Sequence, residues 1–398
     1  MTRNVFSCRM VFFLLGFYVG NWTIRIPDIK AQVNTSYTGM GLNFMAFAAG
    51  AVIMMVISSW VIRRLTTRGA IFYSAWFIAA GFIGIPFAEN LITLVLLSFA
   101  TGLAIGLTEV AMNAQASNLE LSHKKSMMSG FHAFFSLGIL LGALCTSVAV
   151  ELGISLTVNF IGVSLVLWPL TWFFSRHLID DPADAQSAIQ RSIFFRWPAV
   201  IFLLVFIAMT SSLLEGAVDS WAALYMQDIV AVSGFKVGLG AIVFNVFMVA
   251  GRLLGDRVRD GLGVQRFLLA QIFLVLVACY ILFGYTEFWS SIIGFALAGL
   301  GVSNLVPVAY SEAGKSTEIE TPVAVAIISI FSYGAFMVAP GLEGLIADRF
   351  GLPAIFLPFL ALLSIALITT YFFGTRWLGC LLYTSPSPRD ATLSGMPA

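Results

Sequence analysis

The chain has 398 residues, 59% of them hydrophobic and 10% charged, and its 21 basic and 20 acidic side chains leave a net charge of +1. Soluble domains carry about 25% charged residues, so this composition excludes an ordinary soluble protein. The near-neutral balance, with no basic patch, excludes nucleic acid as a partner.

Apolar stretches run over 9–29, 40–62, 70–87, 91–116, 127–149, 155–175, 197–225, 235–256, 265–284, 289–312, 322–346 and 353–374. Each can cross a hydrocarbon core of ~30 Å as a helix. The predicted fold class is an all-α integral membrane protein, with about twelve transmembrane helices arranged as two six-helix bundles. An even number of crossings puts both termini on one side. Arg63, Arg64, Arg68, Arg176, Arg257, Arg259 and Arg266 share that side, whereas Arg25, Lys30, Lys236 and Arg349 fall opposite. The bias predicts a bacterial-type inner membrane with both termini cytoplasmic.

In the first stretch Arg3 and Arg9 precede the apolar run as in a signal peptide, but no small-residue cleavage site follows, so it reads as a membrane helix. It carries Asn21, Trp22 and Arg25 toward its outer end. The fourth holds Glu109 and Asn113 one turn apart, and the fifth holds His132. Counting inward from Asn118 and Lys125 puts Glu109 and His132 at matching depths on the order of 10 to 14 Å. They are predicted to hydrogen-bond as a proton relay; the plainer reading is a polar lock between helices four and five, helped by Gly102 and Gly106.

The interval RHLIDDPADAQSAIQRSIFFRW reads as a linker. It divides the chain into bundles at 1–175 and 197–374, with a cytoplasmic linker at 176–196 and a non-native or disordered tail at 375–398. The seventh stretch contains LLEGAVDSW, with Glu215 and Asp219 in an oily run. An ionised carboxylate there costs ~2.5 to 3.5 kcal/mol and needs a partner, a cavity or a proton. Glu215 lies roughly 28 Å from Arg196, and Arg25 roughly 24 Å from Arg9. Arg25 is therefore expected to meet Glu215 or Asp219, with Asp219 at an outer gate and Asn21 and Trp22 touching ligand. The alternative is that Arg25 snorkels to the interface. Asn245, Asn304 and Tyr333, in the eighth, tenth and eleventh stretches, suit a hydroxylated ligand or interhelical hydrogen bonds.

An offset of about 196 pairs Phe99 with Phe295, Ser136 with Ser332 and Gly138 with Gly334, and GNWTIRIPDI is echoed by DSWAALYMQDI. These matches predict tandem six-helix repeats of the parallel kind, with a cavity between the halves at mid-membrane.

The stretch GRLLGDRVRDGLG, residues 251–263, is similar to a G-x-L-x-D-R-x-G-R loop signature. Over residues 5–374 the chain resembles the major facilitator superfamily. WTIRIPDIK, EVAMNAQASNLE, MSGFHAFFSLGILLGA and EGAVDSWAALY resemble its MosC-like branch, which includes the YbjJ proteins and rhizopine-associated transporters. The resemblance implies that Gly251, Arg252, Gly255, Asp256 and Arg257 form a conformational-switch loop. The first-half copy, SWVIRRLTTRG, has Arg63 where the Asp stands. It also hints at polyol-like substrates, rhizopines being inositol amines.

No GxxxxGKS, HExxH or GxSxG appears, and the four cysteines show no metal or redox spacing. The expectation is a secondary active transporter, not an enzyme, with no cofactor or metal. It would move a small sugar-, polyol- or inositol-like solute by alternating access and be coupled to protons. Its partners are that solute, the lipid bilayer and protons, and a monomer is expected. An efflux carrier for amphipathic compounds is the alternative, with 36 Phe and 14 Met to line its pocket. A membrane-embedded enzyme using Glu109 and His132, or a receptor-like protein that has lost transport, stands further off.

Overall fold

The structure is a computed structural model that describes residues 3–123, 127–180, 197, 199–313 and 321–379. Most of the linker and of the tail lies outside these residues. Among the described residues there is no strand. Backbone groups in lipid must find their partners within the segment, and a helix achieves this.

The first half comprises α1 (Arg3–Gln32), α2 (Tyr37–Gly84), α3 (Leu91–His123), α4 (Met128–Glu151) and α5 (Leu156–Ser175). The second comprises α6 (Ala199–Leu224), α7 (Leu239–Leu262), α8 (Val264–Gly284), α9 (Phe288–Val302), α10 (Leu305–Ala313), α11 (Thr321–Phe350) and α12 (Phe356–Gly379). Eleven helical stretches are long and apolar enough to span a membrane. One of them supplies two crossings.

That stretch is α2, whose 48 residues would reach about 72 Å if straight. Thr66 breaks it, with φ 62° and ψ 167°. The fold-back shows in what the two arms touch: Gly50 packs against the Phe99 carbonyl and Gly81 against Thr101, adjacent levels of α3. Ser74 and Thr108 share a 2.6 Å hydrogen bond on the same interface. The bend is held by the Thr66 hydroxyl, which donates to Asp180 at 2.6 Å. The twelve predicted crossings are therefore all present, with α9 and α10 forming one crossing broken at Ser303 and Asn304.

Within the first half, glycines let backbones meet. Gly16 and Gly20 of α1 lie on the Phe135 and Ile139 carbonyls of α4, and Gly138 and Gly142 answer on the Phe13 and Phe17 carbonyls. Two four-residue glycine pairs thus interlock, and close packing replaces the hydrophobic drive that lipid removes. Gly102 and Gly106 pack on Phe47 and Ala51 of α2, so they join helices four and two rather than helices four and five.

The repeat carries an irregularity. Asp28 follows Trp22 by six residues, whereas Asp228 follows Trp221 by seven. After α6 the chain makes a π turn, Tyr225–Ile229, closed by Val230 N–H donating to the Tyr225 carbonyl at 3.1 Å. The wider turn accommodates the extra residue.

Candidate functional site

The seam between the halves has two ends. One is the face bearing the N-terminus and the Thr66 bend; the other is the far face. At the far face two carboxylates cap helix starts across the seam. Asp348 of α11 accepts from the Tyr37 and Thr38 N–H groups at 3.0 and 2.8 Å. Glu151 of α4 accepts from the Phe235 N–H at 2.7 Å. Each places an anion on N–H groups that have no intrahelical partner. The repeat offset carries Glu151 to within one residue of Asp348, and Thr38 to within one residue of Phe235, so the two locks are versions of one contact.

Around them Gly41 abuts the Pro340 carbonyl, Gly344 the Tyr37 carbonyl and Gly238 the Ser147 hydroxyl. Lys30 pairs with Asp228 at 3.6 Å, and the Tyr37 hydroxyl donates to Asp228 at 2.8 Å. Just beneath, the buried Trp221 donates to Glu343 at 2.8 Å and takes Phe44 edge-on. The other Glu343 oxygen is buried without a partner among the described residues.

Below this seal a cavity of about 110 Å³ opens between the halves. Trp22, Phe44, Phe47, Phe82, Ser98 and Thr101 line it from the first half, and Asp219, Ser220 and Pro340 from the second. Asp219, expected at the outer gate, is the charged group of this lining. The gate itself is built from Asp348, Glu151, Asp228 and Glu343.

The expected pairing of Arg25 with Glu215 or Asp219 does not form. Arg25 is 3% exposed. Its guanidinium donates to Asp28 at 2.8 Å, Asn159 at 3.0 Å and the Ile154 carbonyl at 2.6 Å, all within its own half. Asn21, expected to touch ligand, is fully buried and donates to Thr146 and Asn159 at 2.6 and 3.0 Å. Contacts with α5 hold both side chains within the first half, away from the seam.

Glu215 instead faces Arg252 of α7 at 3.8 Å, both partly exposed. Arg252 also donates to the Ser303 carbonyl at 3.2 Å, and Asn304 donates to the Gly251 carbonyl at 2.9 Å. Gly251 and Gly255 let α7 close onto the α9–α10 break at Ser303 and Asn304. The expected switch loop therefore lies within the helix rather than on a loop. Arg257 is exposed, and the Asp256 side chain lies outside the described ones, as does that of Tyr333.

Glu109 and His132 are not hydrogen-bonded to each other. Glu109 is half-buried, and its carbonyl accepts from Asn113 at 2.9 Å. His132 is exposed toward the face bearing the N-terminus, meets Phe12 edge-on at 5.3 Å, and lies within reach of the Arg252 charge. Asn245 donates to the Ala241 carbonyl on its own helix at 2.9 Å. Sequence reasoning missed Glu343, Asp348 and Asn159, although Glu343 sits in an oily run much as Glu215 does.

These features can be set beside known proteins. The chain is 27% identical over 351 residues to an uncharacterised MFS-type transporter of Yersinia pestis, covering 88% of this chain and 90% of that protein. It is 28% identical over 369 residues to the membrane protein MosC of Rhizobium meliloti, covering 92% and 89%. A crystal structure of the nucleoside transporter NupG, in a mutant form, superposes with a TM-score of 0.76 at 11% identity, covering 92% of this chain and 98% of that one. A sequence profile of the Major Facilitator Superfamily matches residues 8–260 and 201–393, and the chain belongs to that family of transporters.

Proposed function

We propose that this secondary transporter moves a small polar solute of the sugar, polyol or inositol kind across a bacterial-type inner membrane, with protons as the coupling ion. The bodies that rock are residues 1–175 and 197–374, joined by 176–196, and the chain works as a monomer with both termini cytoplasmic. The observation that carries this reading is the seam. It is sealed at one face by Asp348 and Glu151, and beneath the seal lies a cavity lined from both halves. A solute held there touches both bodies, and alternating access needs that arrangement.

Glu215 with Arg252, together with Glu109 and His132, supply titratable and charged groups along the route toward the cytoplasmic side. Carboxylates at membrane depth are the usual carriers of a transported proton. The aromatic lining of the cavity supports a second reading, efflux of amphipathic compounds.

The test is accumulation in proteoliposomes under an imposed inward or outward proton gradient, with myo-inositol, hexoses, nucleosides and an amphipathic dye as solutes. A polyol, sugar or nucleoside that accumulates, and is released by a protonophore, supports the leading reading. Gradient-driven movement of the dye alone supports efflux. Accumulation that ignores the proton gradient removes proton coupling.

A further inference from the structure

We propose that the cavity beneath the seal is a site for a small organic cation, with its ammonium group set against the Asp219 carboxylate. The inference rests on the transporter reading above and narrows its solute to one carrying a positive charge.

Charge is the first argument. Asp219 has no hydrogen bond or ion pair among the described residues, although it lines a cavity walled mainly by apolar side chains. The nearby basic side chains are engaged elsewhere: Arg25 with Asp28, Lys30 with Asp228 and Arg252 with Glu215. Glu215 lies one helical turn from Asp219 on the same helix, but its charge is met by Arg252, so Asp219 is the acid left unpaired at the cavity. With a neutral polyol the carboxylate is offset by a proton; an ammonium group offsets the ionised carboxylate directly, and in a desolvated setting that attraction is strong.

The wall is the second argument. Trp22, Phe44, Phe47 and Phe82 come from α1 and both arms of α2, opposite the carboxylate. Aromatic faces attract a desolvated cation through the ring quadrupole. Ser98 lines the same cavity, with its oxygen buried and without a partner among the described residues.

Size completes the case. At about 110 Å³ the space is well below the ~300 to 1,000 Å³ of drug-sized sites, so it fits an amine of a few carbons and not a bulky amphipath. Because carboxylate and aromatics belong to different halves, a bound cation ties the two bodies together.

The experiment compares choline with its neutral carbon isostere, 3,3-dimethylbutan-1-ol, by calorimetry on the purified full chain in nanodiscs, and repeats the pair as solutes in proteoliposomes. Choline should bind the wild type at least about tenfold more tightly than the isostere. Asp219→Asn should abolish that preference, and Glu89→Gln, an exposed far-face acid, should leave it unchanged. Equal binding of the two compounds, no binding of choline, or choline affinity untouched by Asp219→Asn would each overturn the site. The wild-type comparison needs no variant to fold. Selective choline binding without flux would uphold the site and overturn the transport reading; polyol flux without choline binding would do the reverse.

Discussion

At the far face the seam is closed by backbone N–H groups held on Asp348 and Glu151, by glycines seated on carbonyls, and by Trp221 packed on Phe44. Toward the other face the groups along it, His132 and Arg252, are exposed, and Arg252 meets Glu215 only at 3.8 Å. Inside the first half the contacts are of another kind again, interlocked glycines together with buried hydrogen bonds such as Ser74 to Thr108 and Asn21 to Asn159. The difference assigns roles. Glycine packing and fully buried hydrogen bonds hold the first half together, whereas the far-face closure relies in good part on exposed polar contacts that water can replace, so the seam is the place to open.

The largest effect should come from attacking the rigid part. Gly138→Leu forces a side chain into the Phe13 carbonyl and should destabilise by about 2 kcal/mol or more. Thermal unfolding in detergent should show a larger fall in Tm than for any seam variant; an equal fall would erase the distinction between halves and seam.

Next comes the double variant Glu151→Ala with Asp348→Ala. Each cap contributes about 1 kcal/mol, so their joint loss should shift the balance of states by roughly thirtyfold. The check is labelling of Ser220→Cys by an impermeant thiol reagent from the far side, in a background without native cysteines. The single variants should each give a smaller, similar shift of about fivefold. Markedly unequal shifts would show that the repeat relates the two locks in form only.

Lys30→Met should change far-side labelling by less than about threefold, and only at low salt, because exposed ion pairs contribute about 0 to 1 kcal/mol and are screened. Smallest in architecture is Glu215→Gln, expected to leave Tm nearly unchanged. It should nevertheless abolish gradient-driven accumulation; retained accumulation would reduce Glu215 to a helix tether.

Much of the architecture was legible because lipid imposes simple rules. Apolar length fixed the crossings, and the Trp22 and Trp221 echoes revealed the repeat. The site's polar residues were legible, but not the direction each one faces. Rise per residue sets how far Arg25 lies along α1, but its rotation is set by packing on α5, and Asn159 and the Ile154 carbonyl took it. The same holds for Glu109 and His132, which do not bond to each other. Glu343 carried the signal that singled out Glu215, an acid in an oily run, and Asp348 was obscured by its place at a helix end.

The π turn at Tyr225–Ile229 has a consequence for how such a chain can change over generations. Adding a residue to a membrane helix normally turns everything beyond it by about 100°. Here the widened turn confines that rotation to a few residues between Trp221, which stays on Glu343, and Asp228, which still meets Lys30 from the other half. A duplicated unit can therefore gain or lose a residue at this point and keep both its floor and its lid. Length at this turn is a heritable adjustment of the gate that leaves the cavity where it was.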